Sequence, residues 1–271
     1  MRIPRPVAWA ALALGVAACS KVPYTGRRQF NLLPDDLMVG IGKMSYVSSL
    51  DGETLEKGTD DTRTVKQVGQ AIATASGEDY DWEFKLIDDD DTINAWCLPG
   101  GKVAVYSGLL PVVEHEAGLS FVLGHEVGHA LAHHGAERLS QQAAALGGLA
   151  GLWLYLDRKT ELSGEQQAIL LAALGVGTRV GVLLPFSRTH EKEADVIGLL
   201  TMAGAGYPPE QSLGVWTRMA DASESSVPTF LSTHPSSEQR QANLNDWMDQ
   251  AKKRYERNKQ KVGGDTTTPR W

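Results

Sequence analysis

The stretch HEVGHALAHHG, residues 125–135, decides the fold. It places four of the chain's seven histidines within ten positions, and their spacing determines which of them can share a metal ion. On an α-helix, His125 and His129 lie four residues apart and share one face, so both rings can approach one metal ion at ~2.1 Å. Glu126 lies beside them, where its carboxylate can act on a bound water. This HExxH pattern predicts a helix that supplies two metal ligands and a base.

The nearby His133 continues the same helical face but cannot complete this site. Eight residues at a rise of 1.5 Å place it ~12 Å along the helix axis from His125. A helix that bends at a glycine can return a third histidine, but that pattern needs glycine at position 132 and histidine at position 135. Here those positions hold Ala132 and Gly135. The third ligand must therefore come from another part of the chain.

A second stretch, SRTHEKEAD at residues 187–195, offers that ligand. On a helix, Glu191 and Asp195 share one face, whereas Glu193 points roughly 160° away from Glu191. Glu191 is the better metal ligand, and Asp195, one turn further, can accept the second ring N–H of a ligand histidine. Taken alone, the stretch is more typical of a charged surface. Its function therefore depends on folding back against the HExxH helix.

The N-terminus is typical of an exported protein. Arg2 and Arg5 precede an uncharged stretch, residues 6–18, which is too short to span a bilayer because a spanning helix needs ~20 apolar residues. The sequence GVAACS then resembles the lipobox of bacterial lipoproteins, which predicts a signal peptide over residues 1–18 and lipid on Cys19. An ordinary signal peptide with a chance cysteine is the alternative. By the same resemblance, Ser20 in place of aspartate indicates the outer membrane.

Composition and charge narrow the class of protein. The chain has 271 residues, of which 42% are hydrophobic and 22% charged, enough for one large domain or two small ones, and we expect a single core with attachments. Removing residues 1–18 takes away two arginines and no acid, so the formal charge becomes 26 − 2 − 33 = −9. A negative chain disfavours nucleic acid as a partner. With Cys19 lipidated, Cys97 has no partner within the chain, and we expect it to be a buried free thiol.

The spacing of hydrophobic residues predicts an α+β protein that is predominantly helical. Residues 19–34, with two prolines and a glycine, are expected to form a tether, and residues 251–271 a C-terminal tail whose end, 262–271, is disordered. The domain between them spans residues 35–250. It is expected to contain strands at 82–87 and 102–108 and helices at 35–55, 64–75, 143–156 and 165–184. The last two would form a helical hairpin, 141–185, that covers the core instead of crossing a membrane.

Together, HEVGHALAHHGAER and SRTHEKEAD resemble the HtpX, BepA, LoiP and Ste24-type zinc metallopeptidases, peptidase family M48, which combine HExxH with a downstream ExxxD. The resemblance runs from about Arg63 to Asp246. It includes NAWCLPGGKVAVYSGLL, residues 94–110, similar to the family's substrate-binding edge strand, and THPSSEQR, residues 233–240, similar to its HPxxxxR element. The family implies a zincin-like (gluzincin) fold with a small β-sheet. Its edge strand would face the active-site cleft through Asn94, Ala95 and Trp96.

By position, the resemblance implies one zinc ion per chain, held by His125, His129 and Glu191. Glu126 would be the general base, and Asp195 would orient a ligand histidine. The HPxxxxR element would bring two further residues, His234 and Arg240, near the metal. His234 could steady the oxyanion or fill the open position of the zinc as a self-inhibiting fourth ligand, and His234 or Arg240 would oppose the developing oxyanion. His133 and His134 are expected to support the end of the helix.

Two functional hypotheses follow. The first is a lipid-anchored zinc endopeptidase of the bacterial cell envelope, on the periplasmic face of the outer membrane. An extended substrate would add as a strand along residues 94–106 through main-chain hydrogen bonds, which suits quality control of unfolded or misassembled envelope proteins. The alternative is a chaperone or assembly factor that binds such clients with little or no proteolysis. The sequence leaves the oligomeric state open.

Overall fold

The computed structural model describes residues 19–159, 184–222, 230–231, 234 and 238–271. Within these ranges the chain is α+β and predominantly helical, as predicted. Its strands are β1 (Cys19–Lys21), β2 (Arg28–Phe30), β3 (Glu83–Ile87), β4 (Ala95–Leu98) and β5 (Lys102–Tyr106). Its α-helices are α1 (Asp35–Ser49), α2 (Asp60–Ser76), α3 (Leu110–Val113), α4 (Glu116–Leu131), α5 (His134–Lys159), α6 (Leu184–Ala205), α7 (Gln211–Ala222) and α8 (Glu238–Glu256).

The sheet that borders the functional region has the strand order β3-β5-β4. The central strand β5 is parallel to β3 and antiparallel to β4. Its residues Val103, Ala104 and Val105 are fully buried, as expected for a strand covered on both faces. The strands predicted at 82–87 and 102–108 are confirmed, and β4 lies within the segment expected to hold the edge strand. In this sheet β4 is at an edge.

Helix α4 carries the HExxH motif through the middle of the core, and fourteen of its sixteen residues are buried. At its start, the ring Nδ1 of His115 accepts a hydrogen bond from the backbone N–H of Gly118 at 2.9 Å, which satisfies one free amide of the first turn. The predicted apolar face is buried throughout at Leu119, Val122, Leu123, Val127 and Leu131. The helix ends at Leu131, and His133, with φ of 50°, turns the chain into α5.

Helices α4 and α6 cross at very short range because glycines line the contact. A Cβ on Gly198 of α6 would lie 2.7 Å from the backbone nitrogen of His125, and a Cβ on Gly124 of α4 would lie 2.9 Å from the carbonyl oxygen of Gly198. Both distances are shorter than non-bonded contacts allow. The missing side chains therefore let the HExxH helix and the EKEAD helix approach closely enough to share a metal ion.

Helices α1 and α2 differ in length from their predicted ranges. Helix α1 ends at Ser49 instead of residue 55, because the chain turns at Gly52, whose φ is 84°. Helix α2 begins at Asp60 instead of residue 64, because the hydroxyl of Thr59 accepts a hydrogen bond from the N–H of Thr62. Its predicted stop at Gly77 is confirmed, with φ of 79°.

The predicted helical hairpin, 141–185, is described only in part. The helix expected at 143–156 lies within α5, whereas most of the one expected at 165–184 lies outside the described residues. Among the described helices, none combines the length and the apolar character that a membrane crossing requires.

Residues 19–34 are not the free tether that the sequence suggested. Strands β1 and β2 pair as an antiparallel hairpin, with Cys19 opposite Phe30, and Val22 and Gln29 are buried against the domain. Pro23 and Gly26, taken as signs of an irregular segment, belong to the hairpin turn, where Gly26 has φ of 69°, and Pro34 directly precedes helix α1. The N-terminal segment is therefore part of the folded domain.

The expectation of a disordered C-terminal end is also wrong. The backbone carbonyl of Thr266 accepts a hydrogen bond from the N–H of Ala117 at 3.0 Å, which satisfies a second free amide at the start of α4. The indole N–H of Trp271 donates to Asp61 at 2.6 Å, and its ring packs against the core. A terminal tryptophan buries enough apolar surface to order the segment that carries it.

Candidate metal centre

Four side chains offer donor atoms to one point between α4, α6 and residue 234. Their nitrogen and oxygen atoms all lie within 4.8 Å of one another, and they belong to His125, His129, Glu191 and His234. His125 Nε2 lies 3.1 Å from His129 Nε2, 3.4 Å from Glu191 Oε2 and 3.3 Å from His234 Nδ1. Ligand atoms bound at 2.0–2.1 Å in a tetrahedral site lie about 3.3 Å apart. The structure thus brings the three predicted ligands together with His234, which the resemblance offered as a fourth ligand.

The outer nitrogens of the two α4 histidines show that this cluster fits a cation. Nδ1 of His125 is engaged by Asp195 at 3.0 Å, and Nδ1 of His129 by His134 at 2.9 Å. With protons on these outer nitrogens, both Nε2 atoms direct lone pairs at each other across 3.1 Å. A proton or a metal ion between the two nitrogens relieves the repulsion of these lone pairs. Two imidazoles and a carboxylate are the donor set that zinc takes in catalytic sites.

Glu191 is the anionic ligand of the set and is only 3% exposed. Burial alone would raise its pKa, but hydrogen bonds with His125 and His234 outweigh this and hold the pKa of Glu191 well below its usual range. Nη1 of Arg240 lies 3.0 Å from Oε2 of the same carboxylate. Glu191 is therefore ionised and ready to bind a cation throughout the physiological pH range.

Asp195 takes the position behind His125 that the sequence predicted, and Arg240 holds it there. Nε and Nη2 of Arg240 each donate to the Asp195 carboxylate at 2.7 Å, and the guanidinium lies 3.7 Å above the ring of Trp216. Arg240 is 2% exposed and does not line the cleft. This geometry favours a role for Arg240 in fixing the carboxylates of Asp195 and Glu191. Its direct contact with an oxyanion stays a prediction from the resemblance.

Glu126 lies beside the ligand cluster with a proton-accepting atom unused. Its Oε1 is buried and has no hydrogen-bond partner among the described residues, although His234 Nε2 lies 3.4 Å away. Burial raises the pKa of the Glu126 carboxyl, which moves it closer to neutrality than an exposed glutamate. A carboxylate with a free oxygen and a raised pKa suits the predicted role of general base.

The cleft in front of the cluster is bordered by the edge strand. It has a volume of about 260 Å³, and Glu126, His129 and His234 lie along it opposite three residues of β4, which are Trp96, Cys97 and Leu98. Of the three residues predicted to face the cleft, Trp96 lines it, whereas Asn94 and Ala95 do not. Ala95 is buried. Asn94 immediately precedes the strand, and its carbonyl oxygen accepts a hydrogen bond from the N–H of Tyr106.

Cys97 is a half-buried free thiol that lines this cleft. Burial, together with the negative charge of Glu126, raises its pKa, so the sulfur stays protonated. It is absent from the group of ligand atoms at the metal centre. The thiol therefore contributes to the wall of the cleft.

The last two histidines of the opening motif lie outside the ligand group, as predicted. His133 is partly exposed, pairs with Asp35 at 3.2 Å and lines the cleft. His134 is buried, and burial lowers its pKa to about 4, so it is neutral. Its ring lies directly behind His129.

Sequence reasoning missed the partly buried ion pairs behind the site. Glu193 and Glu137 both bind Arg27, which lies in the β1–β2 hairpin, and they contact His134 and His190 in turn. One signal was available in the sequence. Glu193, rotated about 160° from the ligand Glu191, must contact whatever packs on the opposite face of α6. No local pattern, however, connects Arg27 with partners more than one hundred residues away.

These features define a zinc metallopeptidase site of the HExxH class. The sequence matches Peptidase family M48 over residues 59–248, and the chain belongs to that family. It is therefore a metalloendopeptidase with zinc as its cofactor.

Several curated relatives share much of the chain. The mitochondrial metalloendopeptidase OMA1 of Schizosaccharomyces pombe is 36% identical over 242 residues, which cover 87% of this chain and 68% of that protein. The protein of the same name from Saccharomyces cerevisiae is 32% identical over 90% of this chain and 76% of its own length. The β-barrel assembly-enhancing protease of Escherichia coli is 28% identical over 67% of this chain and 37% of its own length.

Proposed function

We propose that this zinc endopeptidase cleaves unfolded or misassembled proteins in the bacterial cell envelope, where lipid on Cys19 anchors it to the periplasmic face of the outer membrane. One observation carries the choice of substrate: the edge strand β4 and the metal centre line the same cleft. A chain that pairs with an edge strand is recognised through its main chain, with little demand on its side chains. Such recognition suits a polypeptide that has lost its fold.

The residues around the metal divide the work of hydrolysis. Zinc, when bound, polarises the scissile carbonyl and makes water a nucleophile at neutral pH. Glu126 takes the proton of the attacking water at its free Oε1 and passes it to the leaving amine. Nε2 of His234, 3.4 Å from this oxygen, can steady the carboxylate before it takes up the proton. Asp195 and Arg240 keep His125 and Glu191 in place meanwhile.

The activity is tested with an unfolded protein as substrate and its folded form as the control. The native chain should bind one zinc ion and cleave the unfolded form much faster than the folded form. Glu126→Gln should keep the zinc and lose about 10²- to 10⁴-fold in rate, because the general base is gone. Equal cleavage by Glu126→Gln would rule out this mechanism, and equal cleavage of both forms would rule out the proposed substrate class.

The location is supported by the N-terminal sequence and by one group of relatives. Residues 1–19 combine two arginines, an uncharged apolar stretch and Ala-Ala-Cys. The relatives from Escherichia coli and Vibrio cholerae are named for β-barrel assembly. The mitochondrial relatives suggest the competing location, the mitochondrion.

Expression of the full chain in a bacterium, followed by mass measurement of its N-terminal peptide, should find lipid on Cys19, and Cys19→Ser should leave the membrane fraction. An unmodified native cysteine would overturn the anchor.

A chaperone that binds clients with little or no proteolysis is the second candidate, and the position of His234 favours it. Its Nδ1 lies among the ligand atoms, 3.0 Å from Glu191 Oε2, where it fills the side of the cluster that a substrate would need. If this arrangement persisted with a client bound, the protein would hold the client uncut. Binding of an unfolded protein without cleavage by the native chain and by His234→Ala would favour the chaperone.

A further inference from the structure

The zinc ligand His129 is held from behind by a second histidine. Its Nδ1 lies 2.9 Å from Nδ1 of His134, and the two ring centroids are 5.0 Å apart at 72°. A ligand histidine that binds zinc through Nε2 carries its proton on Nδ1, and this N–H usually donates to a carboxylate or a carbonyl. Here the partner of that nitrogen is instead Nδ1 of another imidazole, that of His134.

The carboxylate is present one step further along. Nε2 of His134 lies 3.1 Å from Oε2 of Glu193. With Nδ1 of His134 accepting from His129, its proton must be on Nε2, which then donates to Glu193. The tautomers are thus consistent from the metal side to the carboxylate. His129, His134 and Glu193 form one directed chain of hydrogen bonds.

Arg27 ends this chain in the N-terminal hairpin. Its Nε and Nη2 donate to the two oxygens of Glu193 at 2.7 and 2.9 Å, and the hydroxyl of Thr25 donates to the same carboxylate at 3.2 Å. A bidentate pair of this kind fixes the carboxylate in orientation as well as in charge. The hairpin between β1 and β2 is therefore connected to a zinc ligand through a continuous series of polar contacts.

A parallel branch from the same arginine provides an internal control. Arg27 also donates to both oxygens of Glu137, at 2.9 and 2.6 Å, and Glu137 contacts Nε2 of His190 at 3.0 Å. His190 stacks on His134 with centroids 4.2 Å apart. Its other nitrogen, Nδ1, has no hydrogen-bond partner among the described residues, so this branch ends before it reaches the metal.

We propose that Glu193, acting through His134, is a positioning residue for the zinc ligand His129, and that Arg27 ties this function to the N-terminal hairpin. The inference rests on the proposed zinc peptidase function but not on the location in the envelope. Fixing the ring of His129 keeps its Nε2 directed at the metal, and loss of such outer contacts typically costs 10- to 100-fold in metal affinity.

The test compares isosteric variants of the full chain in competition with a zinc chelator. Glu193→Gln should weaken zinc binding about tenfold, whereas Glu137→Gln, equally buried and bound to the same arginine, should leave the zinc affinity within twofold of native. His134→Ala should lower it and His190→Ala should not. Because Glu193 acts through His134, the double variant Glu193→Gln, His134→Ala should bind zinc no more weakly than His134→Ala alone.

A spectroscopic readout separates positioning from general stability. With cobalt in place of zinc, the visible absorption bands should change in Glu193→Gln and stay native in Glu137→Gln, even if urea unfolding finds both variants equally destabilised. Equal zinc affinities and equal spectra for the two variants would overturn the inference. A native chain that binds no zinc would instead refute the proposed function itself, so the two failures are distinguishable.

Discussion

The guanidinium of Arg240 holds the carboxylate of Asp195 through two hydrogen bonds of 2.7 Å, and this carboxylate in turn lies 3.0 Å from Nδ1 of His125. The same arginine reaches the ligand Glu191. One buried cation therefore supports two of the metal ligands from behind. Its contact with the ring of Trp216 fixes the plane of the guanidinium group.

Replacing Arg240 by lysine tests this support, because lysine keeps the charge and loses the planar fork. We expect zinc affinity to fall about tenfold and the free energy of unfolding to fall by about 3 kcal/mol, since Asp195 remains buried with a poorer partner. Calorimetric zinc titration and urea unfolding measure the two effects. A variant with native zinc affinity and a lower kcat alone would return Arg240 to the oxyanion role that the resemblance suggested.

His234 is predicted to restrain the enzyme in the arrangement seen here. Its Nδ1 lies among the ligand atoms, so a substrate must first displace it. If the open arrangement is about one tenth populated, His234→Ala should raise kcat/KM for an unfolded substrate about tenfold. His133→Ala is the matched control, because His133 lines the same cleft outside the ligand group. Slower cleavage by His234→Ala would favour support of the oxyanion instead.

The sequence was sufficient to predict the helices and strands whose residues follow a regular period. Spacing of four residues correctly paired His125 with His129 and Glu191 with Asp195, because helix geometry alone puts such residues on one face. The same geometry separated His133 from the ligands. The resemblance added His234, which the structure brings to the ligand atoms. A histidine before a proline has no period that could have suggested this.

The parts that sequence could not supply depend on contacts between distant segments. The hairpin of residues 19–30 shows little regular pattern, and its order comes from Arg27 pairing with Glu137 and Glu193 on two different helices. The C-terminal end is ordered because Trp271 and Thr266 meet the starts of α2 and α4. Neither partner can be inferred from the local composition of these termini.

The close crossing of α4 and α6 predicts that Gly198 tolerates no side chain. The added Cβ in Gly198→Ala would lie 2.7 Å from the backbone nitrogen of His125 and 3.0 Å from the backbone carbon of Gly124. Because backbone atoms cannot move aside as a side chain can, the helices must separate. We expect a loss of about 1–3 kcal/mol in the free energy of unfolding, measured in urea, and weaker zinc binding.

Gly147→Ala is the control for this substitution. Gly147 also lies in a helix, α5, but among the described residues nothing lies within 4 Å of its added Cβ. Alanine there should stabilise the protein by about 0.5–1 kcal/mol, because it restricts the unfolded chain. If both variants were stabilised, the close contact between the two helices would not limit the position of the ligands.

The partly buried ion pair of Arg27 and Glu137 predicts how the stability of the fold changes in acid. Burial would raise the pKa of Glu137, but hydrogen bonds from Arg27 and His190 outweigh it and lower the pKa to about 2. Since an unfolded glutamate titrates near pH 4.3, the native state binds the proton less readily. The ionised carboxylate therefore stabilises the fold above about pH 5, and this contribution is lost as the pH falls toward 2.

Glu137→Gln cannot titrate, so the difference in unfolding free energy between native and variant should be constant above pH 5 and shrink below it. Urea unfolding of both proteins at stepwise pH measures the difference, in which loss of zinc in acid largely cancels. A difference independent of pH would mean that the pair does not hold Glu137 ionised.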